Sequence, residues 1–311
     1  MRSANASDSS EDSSDSSDST TGSASPAGPD GPDAPTDAAP RAVTLDFWST
    51  LFGDEPGTET GRTRLRLEGL AAALAAVEPA IGDEELAAAH ATAGSRHMRL
   101  HAEGRDVPFE AQLTAFLEHL RPGLAATLDA RTRAALEHAY AHPGLAAPPV
   151  PLAPDLPGVL GALRARGYRL AVISNTGRTP GRVLRQVMER AGVLDHFDVL
   201  TFSDEAELAK PATAIFTGTL AALGVAPAAA VHVGDLPRYD IAGAHRAGMA
   251  AILVGDRPRI HPELAGPPGP PDPAETPDAQ IATLADLLAA LDALAERLNW
   301  RVGTTSRGHA D

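Results

Sequence analysis

Two spacings of apolar residues divide this chain. Residues 42–45, AVTL, form a short apolar run that stops at a carboxylate, Asp46, with Trp48 and Thr50 close behind. A run of this length bounded by polar residues predicts a buried strand. The stretch 60–141 follows a helical rhythm instead. RLRLEGLAAALAAV, DEELAAAHATAGSRHMRLHAEG, FEAQLTAFLEHL and DARTRAALEHAY all carry apolar residues three and four apart. Asp83 and Asp129 are the predicted N-caps. The prolines of HPGLAAPPVPLAPDLPG then break the helices.

From Leu156 onward helix and strand patterns alternate with short loops between them. GVLGALRARG precedes YRLAVISN, GRVLRQVMERAGV precedes FDVLTFSD, TAIFTGTLAALG precedes AAVHVGD, and DIAGAHRAG precedes MAAILVGD. This alternation predicts an α/β fold: a doubly wound, mostly parallel, Rossmann-like sheet with helices on both faces. Strand 42–45 belongs to the same sheet, so the long helical stretch is an insertion, an all-helical second domain. The expected layout is a tail at 1–40, a core at 41–54 and 150–262, and the helical insertion at 55–149. A Pro-rich linker at 263–278, a closing amphipathic helix at 279–299 and a flexible tail at 300–311 follow.

Composition narrows the function classes. The 311 residues include no cysteine, so disulfides, a thiol nucleophile and a cysteine-bound metal are excluded. The net charge of −15 disfavours nucleic acid and anionic membranes as partners. Much of that charge lies in the first forty residues, rich in Ser, Asp, Pro and Gly and nearly devoid of apolar groups; such a segment is expected to be disordered. No basic-then-apolar leader and no run long enough to span a bilayer is present, so the expectation is a cytoplasmic protein. Oligomeric state is not legible in the sequence.

The strand ends carry the chemistry. Ligands of an open parallel sheet bind beyond the carboxyl ends of its strands. There this chain places Asp46, then Ser174 and Asn175, then Ser203 and Asp204, then Asp235, with Lys210 and Asp240 close behind. Singly, each reads as a turn residue or a helix cap. Together they gather carboxylates, an ammonium and hydroxyls at one rim.

In their order, VTLDFWSTLF, LAVISNTG, AELAKPATAIF and VHVGDLPRYDIAGAHRAGM resemble the four motifs of the haloacid dehalogenase-like hydrolase superfamily, and the insertion matches the position of that family's helical cap. The resemblance implies a hydrolase with an aspartyl-phosphate route: a Mg²⁺-dependent phosphatase of a small phosphorylated metabolite. It makes Asp46 the nucleophile and Lys210 its catalytic cation, and gives the phosphate to Thr50, Ser174 and Asn175. Asp46, Asp235 and the backbone carbonyl of Trp48 would hold Mg²⁺, with Asp240 behind them orienting Lys210 or a metal-bound water.

Position 48 departs from the pattern. The family's phosphatases carry there a second Asp that protonates the leaving oxygen, and an indole has no useful acidity. Candidates to replace it are Glu55, His90, His97 and His101. The three histidines share one helix face, which is expected to be solvated; His97 and His101 have metal-ligand spacing but no evident third ligand. The segments DVPFEAQ and RHMRLH are expected to pack rather than to line a pocket. Trp48 also fits two other readings: a 2-haloacid dehalogenase, which needs no protonated oxygen but gives Asp235 no task, and a non-catalytic regulatory protein.

Overall fold

The computed structural model describes residues 42–255 and 272–297. The expected tails at 1–40 and 300–311, residues 256–262 of the expected core and 263–271 of the expected linker lie outside them.

The chain opens with β1 (Ala42–Leu45) and a two-residue β2 (Phe52–Gly53), then enters the helices α1 (Thr58–Leu74), α2 (Asp83–Ala102), α3 (Phe109–Leu120), α4 (Leu124–Thr127), α5 (Ala130–Ala141) and α6 (Pro143–Ala146). It returns through β3 (Val150–Pro151), which pairs antiparallel with β2. The alternation that follows is α7 (Leu156–Ala165), β4 (Arg169–Ser174), α8 (Gly181–Arg190), β5 (Val199–Phe202), α9 (Ser203–Ala206), α10 (Thr213–Leu223), β6 (Ala230–Gly234), α11 (Ala242–Arg246), β7 (Ala250–Val254), β8 (Ala279–Ile281) and α12 (Leu287–Arg297). A single π-helical turn, Pro237–Ile241, leads into α11.

Six strands form one sheet in the order β5-β4-β1-β6-β7-β8, every neighbouring pair parallel. The order reverses around β1, and a crevice opens at such a point beyond the strand ends. Alternation of side chains along β1 divides the core. Val43 and Leu45 join Leu160, Leu184, Met188 and Leu291 on one face, while Ala42 meets Phe216, Leu220 and Ile241 on the other. The helices between β2 and β3 have a core of their own, built from Leu70, Leu86, Phe109, Leu113, Phe116, Leu136 and Tyr140, to which α8 contributes Val183. Full burial of each such side chain is worth about 1.5–3 kcal/mol.

Two local readings of the sequence differ from the structure. Gly82, not Asp83, is the N-cap of α2, and Asp83 is its first helical residue, a favourable place for a negative charge. Asp129 does cap α5, accepting from the Thr132 N–H. The segment expected to be one helix from residue 279 begins as β8, an edge strand paired with β7, and turns helical only at Leu287. The described end of the expected linker is tied to the core, where His245 bonds the Ala274 carbonyl and the Asp278 carboxylate.

The loop after α2 grips the segment that leads to Lys210. The Gly104 carbonyl accepts from Ala209 N–H at 3.1 Å, and the Asp106 N–H donates to the Glu207 carbonyl at 3.2 Å. Gly104 has φ +74°, and a Cβ there would approach the Ala212 Cβ to 2.8 Å, so both conformation and space demand glycine.

Candidate active site

Asp46 continues β1 by one hydrogen bond, from its N–H to the Val233 carbonyl at 2.9 Å, and its side chain leaves the sheet at the reversal point. A tight loop follows. Ser49, at φ 58°, donates to the Phe52 carbonyl, and Leu51 and Phe52 both donate to the Phe47 carbonyl. None of these bonds uses the Trp48 carbonyl.

Lys210 reaches the sheet's rim from the loop between α9 and α10. Its Nζ lies 2.6 Å from Asp46 Oδ1 and 2.6 Å from Asp240 Oδ1. The main chain of Lys210 is clamped by one side chain: Asn175 Oδ1 accepts from its N–H at 2.7 Å, and Asn175 Nδ2 donates to its carbonyl at 3.0 Å. Asp235 follows β6. Asp46, Asp235 and Asp240 each offer a carboxylate oxygen within 4.8 Å of the others. Gly234 makes this approach possible, because a Cβ at 234 would collide with the Asp240 carboxyl.

Three buried carboxylates face one ammonium, and their protonation reflects it. Burial pushes the Asp46 carboxyl up to about 6; Lys210 opposes that rise and Asp240 adds to it. Burial and then the charges of Asp240 and Asp46 push Asp235 up to about 8. Burial also works against the charge on Lys210, but Asp240 and Asp46 outweigh it and push the amine up to about 12. For Asp240, burial is outweighed by Lys210 and His232, which hold its carboxyl well below the usual range. Asp240 is thus the committed anion, its oxygens shared among Lys210, His232 Nε2 at 3.1 Å and the Leu236 N–H at 2.9 Å. Asp46 and Asp235 are the carboxylates left for a ligand.

His232 escaped the sequence reading. It is fully buried on β6, and burial keeps its imidazole below the usual range, hence neutral. Because Asp240 is an anion, the proton must sit on Nε2, and Nδ1 accepts from the Thr44 hydroxyl at 2.8 Å. A polar chain therefore runs Thr44–His232–Asp240–Lys210–Asp46. Its sequence signal was one histidine inside the otherwise apolar run AVHVG.

Asp46, Trp48, Asn175, Lys210 and Asp235 line a single cavity of about 480 Å³ between the sheet's rim and the helical insertion. Thr50 and Ser174 do not line it. Both are fully buried, and their hydroxyls have no hydrogen-bond partner. The Trp48 ring stands edge-on to Phe47 at 5.1 Å, with the Arg62 guanidinium of α1 5.4 Å from its centre.

The histidine face of α2 is not solvated. His90, His97 and His101 are all buried, because this face meets the core instead of water. His97 Nε2 bonds the Thr176 carbonyl at 2.8 Å. His101 Nε2 bonds Asp106 Oδ2 at 2.9 Å, and the same oxygen accepts from Ser203 Oγ at 2.6 Å. Asp106 is the third member that spacing alone did not reveal, and His97, His101 and Asp106 also converge within 4.8 Å. Of the candidate replacement acids, His97 and His101 line the cavity, as does Met98; Glu55 is exposed and does not. RHMRLH therefore lines the cavity as well as packing, and Val107, Ala111 and Gln112 of DVPFEAQ line a second cavity of about 150 Å³ beside it.

Buried His90 gives a pH test of this packing. Burial, with Arg178 and Arg66 adding to it, pushes its imidazole from 6.5 down to about 3. Below pH 6.5 the unfolded chain takes up a proton that the folded chain refuses, so stability falls as pH falls. The stability advantage of His90→Phe over the native chain should grow by up to roughly 1.4 kcal/mol per pH unit below that point. Melting curves that stay parallel from pH 7 to pH 5 would contradict this.

A family model of haloacid dehalogenase-like hydrolases matches residues 40–248. The phosphoserine phosphatase of Thermus thermophilus is 38% identical over 104 residues, 33% of this chain and 41% of that protein, so the match spans less than half of the relative. The ribulose-1,5-bisphosphate 5-phosphatase of Halopiger xanaduensis is 31% identical over 222 residues, 68% of this chain and 83% of that protein. Among solved structures, a 2-haloacid dehalogenase of Pseudomonas syringae superposes with a TM-score of 0.56 at 23% identity, covering 81% of this chain and 98% of the other, a likeness of fold.

Proposed function

The chain belongs to the haloacid dehalogenase-like hydrolase family, and from that membership we propose that it is a Mg²⁺-dependent phosphatase of a small phosphorylated metabolite, with Asp46 as nucleophile. The observation that carries this reading is the placement of Lys210, 2.6 Å from both Asp46 and Asp240, with Asp235 beside them.

The residues fit a hard divalent cation. Asp46 and Asp235 are buried oxygen donors whose carboxyls burial pushes up, and they would hold the cation together with the Trp48 carbonyl. Mg²⁺, when bound there, supplies positive charge to the transferring phosphoryl group and to both carboxylates. The chain's own groups do the rest. An Asp46 oxygen attacks phosphorus, the bond from phosphorus to the ester oxygen breaks, and the leaving oxygen takes a proton from solvent water, which the hydrolytic second step replaces. Water then attacks the aspartyl-phosphate and returns Asp46 as a carboxylate with release of phosphate. Lys210, fixed by Asp240 and Asn175, neutralises charge on the phosphoryl oxygens throughout. The insertion roofs the cavity and limits water.

Trp48 and the aromatic wall it forms favour a second reading, dehalogenation; Asp235 opposes it. One assay separates them. Phosphate release from a panel of phosphate esters should require Mg²⁺, vanish in EDTA and return on adding Mg²⁺, while 2-haloacids release no halide. Halide release that persists in EDTA would reverse the assignment.

A further inference from the structure

The cavity that holds Asp46 and Lys210 is also lined by three arginines, and only one of them is neutralised. Arg62 donates through Nη1 to Asp54 at 2.8 Å and through Nη2 to Glu59 at 2.8 Å. Arg66, one turn further along α1, has no carboxylate partner among the described residues. It is 1% exposed, its Nε donates to the Tyr140 carbonyl at 2.7 Å, and its Nη1 is buried with no partner at all. Arg178, in the loop between β4 and α8, lies against Gly94 of α2, where a Cβ would collide with its guanidinium. It too forms no ion pair among the described residues, and its Nε is buried and unpartnered.

A buried charge without a counter-charge costs several kcal/mol, and a buried donor without an acceptor adds to that. Arg66 bears that cost in full and the half-buried Arg178 bears it at its Nε, an arrangement folded chains rarely retain in one cavity without a ligand to complete it. Burial pushes the Arg66 guanidinium down to about 10; Tyr140 and Glu59 oppose that fall, and Arg178 and Arg62 add to it. Nothing in the transfer of a phosphoryl group at Asp46 uses these two residues. The net charge of −15 makes a concentration of unpaired positive charge here still less a matter of surface composition.

We propose that Arg66 and Arg178 form a second anion subsite, and that the substrate is two-headed: a phosphate ester whose far end carries a carboxylate or another phosphate. The inference rests on the phosphatase reading for the reacting end alone. Planar guanidinium donors suit either oxyanion. The same subsite selects against esters with neutral tails, because those leave the buried Arg66 and the half-buried Arg178 without a counter-charge.

The test is calorimetric titration of the full chain, in Mg²⁺, with phosphonoacetate, a propane bisphosphonate and ethylphosphonate, none of which is hydrolysed. At least one two-headed ligand should bind about ten- to a hundredfold tighter than ethylphosphonate. Which one does so separates carboxylate from second phosphate. Arg66→Met should erase that ratio, and Arg178→Gln should shrink it in a chain whose fold is less dependent on the altered side chain. Equal affinity for all three ligands, binding of none, or a ratio untouched by both substitutions would overturn the subsite. Phosphate release from phosphate esters tailed with a carboxylate or a second phosphate is measured in parallel, in Mg²⁺. Its absence with the ratio intact refutes the phosphatase reading alone; its presence with no ratio refutes the subsite alone.

Discussion

Asp46→Asn is expected to lower phosphate release by a factor on the order of 10³ or more while the chain remains folded. Asparagine keeps the shape of the side chain and an oxygen that accepts from Lys210 Nζ, so the position of the lysine is preserved. What disappears is the anionic oxygen that attacks phosphorus, and an amide cannot replace it. The stability cost should be small for a reason visible in the site. The Asp46 carboxyl is already pushed up to about 6, first by burial, so its ionised form is not what holds the fold together. Lys210 retains Asp240, at 2.6 Å, as its committed counter-ion. Phosphate release and a melting curve on the same preparation decide the matter. Retention of more than about a tenth of native turnover by a fully folded variant would remove Asp46 from the nucleophile's role.

Trp48→Asp should do the opposite, raising turnover on alkyl phosphates by up to about 10²–10⁴. Alkyl esters leave as strongly basic oxygens and need a proton during cleavage, whereas aryl esters leave without help. The native chain offers an indole at this position, with Arg62 5.4 Å from the ring centre and Phe47 against its edge. The substitution removes an aromatic wall and supplies a carboxyl two residues from Asp46. Arg62 is already engaged by Asp54 and Glu59, so the new carboxyl is not locked into an ion pair that would keep it from donating a proton. The measurement is the alkyl-to-aryl rate ratio in both proteins. A ratio that does not rise, or a loss on every alkyl ester, would mean that the indole contributes something other than a missing acid.

The sequence made the strand-end residues legible because a parallel sheet converts order along the chain into convergence at one rim. Asp46, Lys210 and Asp235 were found that way, and their meeting needed no knowledge of angles. What escaped depended on packing between distant segments. The three α2 histidines share a face by helical period, but whether that face meets water or protein is decided by the core against which it lies. Asp106 joins His101 and Ser203 because the loop after α2 turns back onto the segment before Lys210, a contact across 97 residues of sequence. Strand β8 was concealed inside an apolar run with helical spacing, and its pairing with β7 overrode local preference. Asn175 stood at the right rim, yet its amide is taken up by the main chain of Lys210, a partnership that only coordinates disclose.

The grip of residues 104 and 106 on the backbone at 207–209 bears on how this protein can be rebuilt. The insertion is not an interchangeable attachment to an independent sheet, since it helps to set the height of the lysine. A chimera that received its helices from another protein would inherit a displaced ammonium unless the donor also brought a glycine and an aspartate at matching positions. Grafts made at the two-stranded β2–β3 stem alone should therefore yield folded but impaired proteins, with function returning when the turn after α2 is restored.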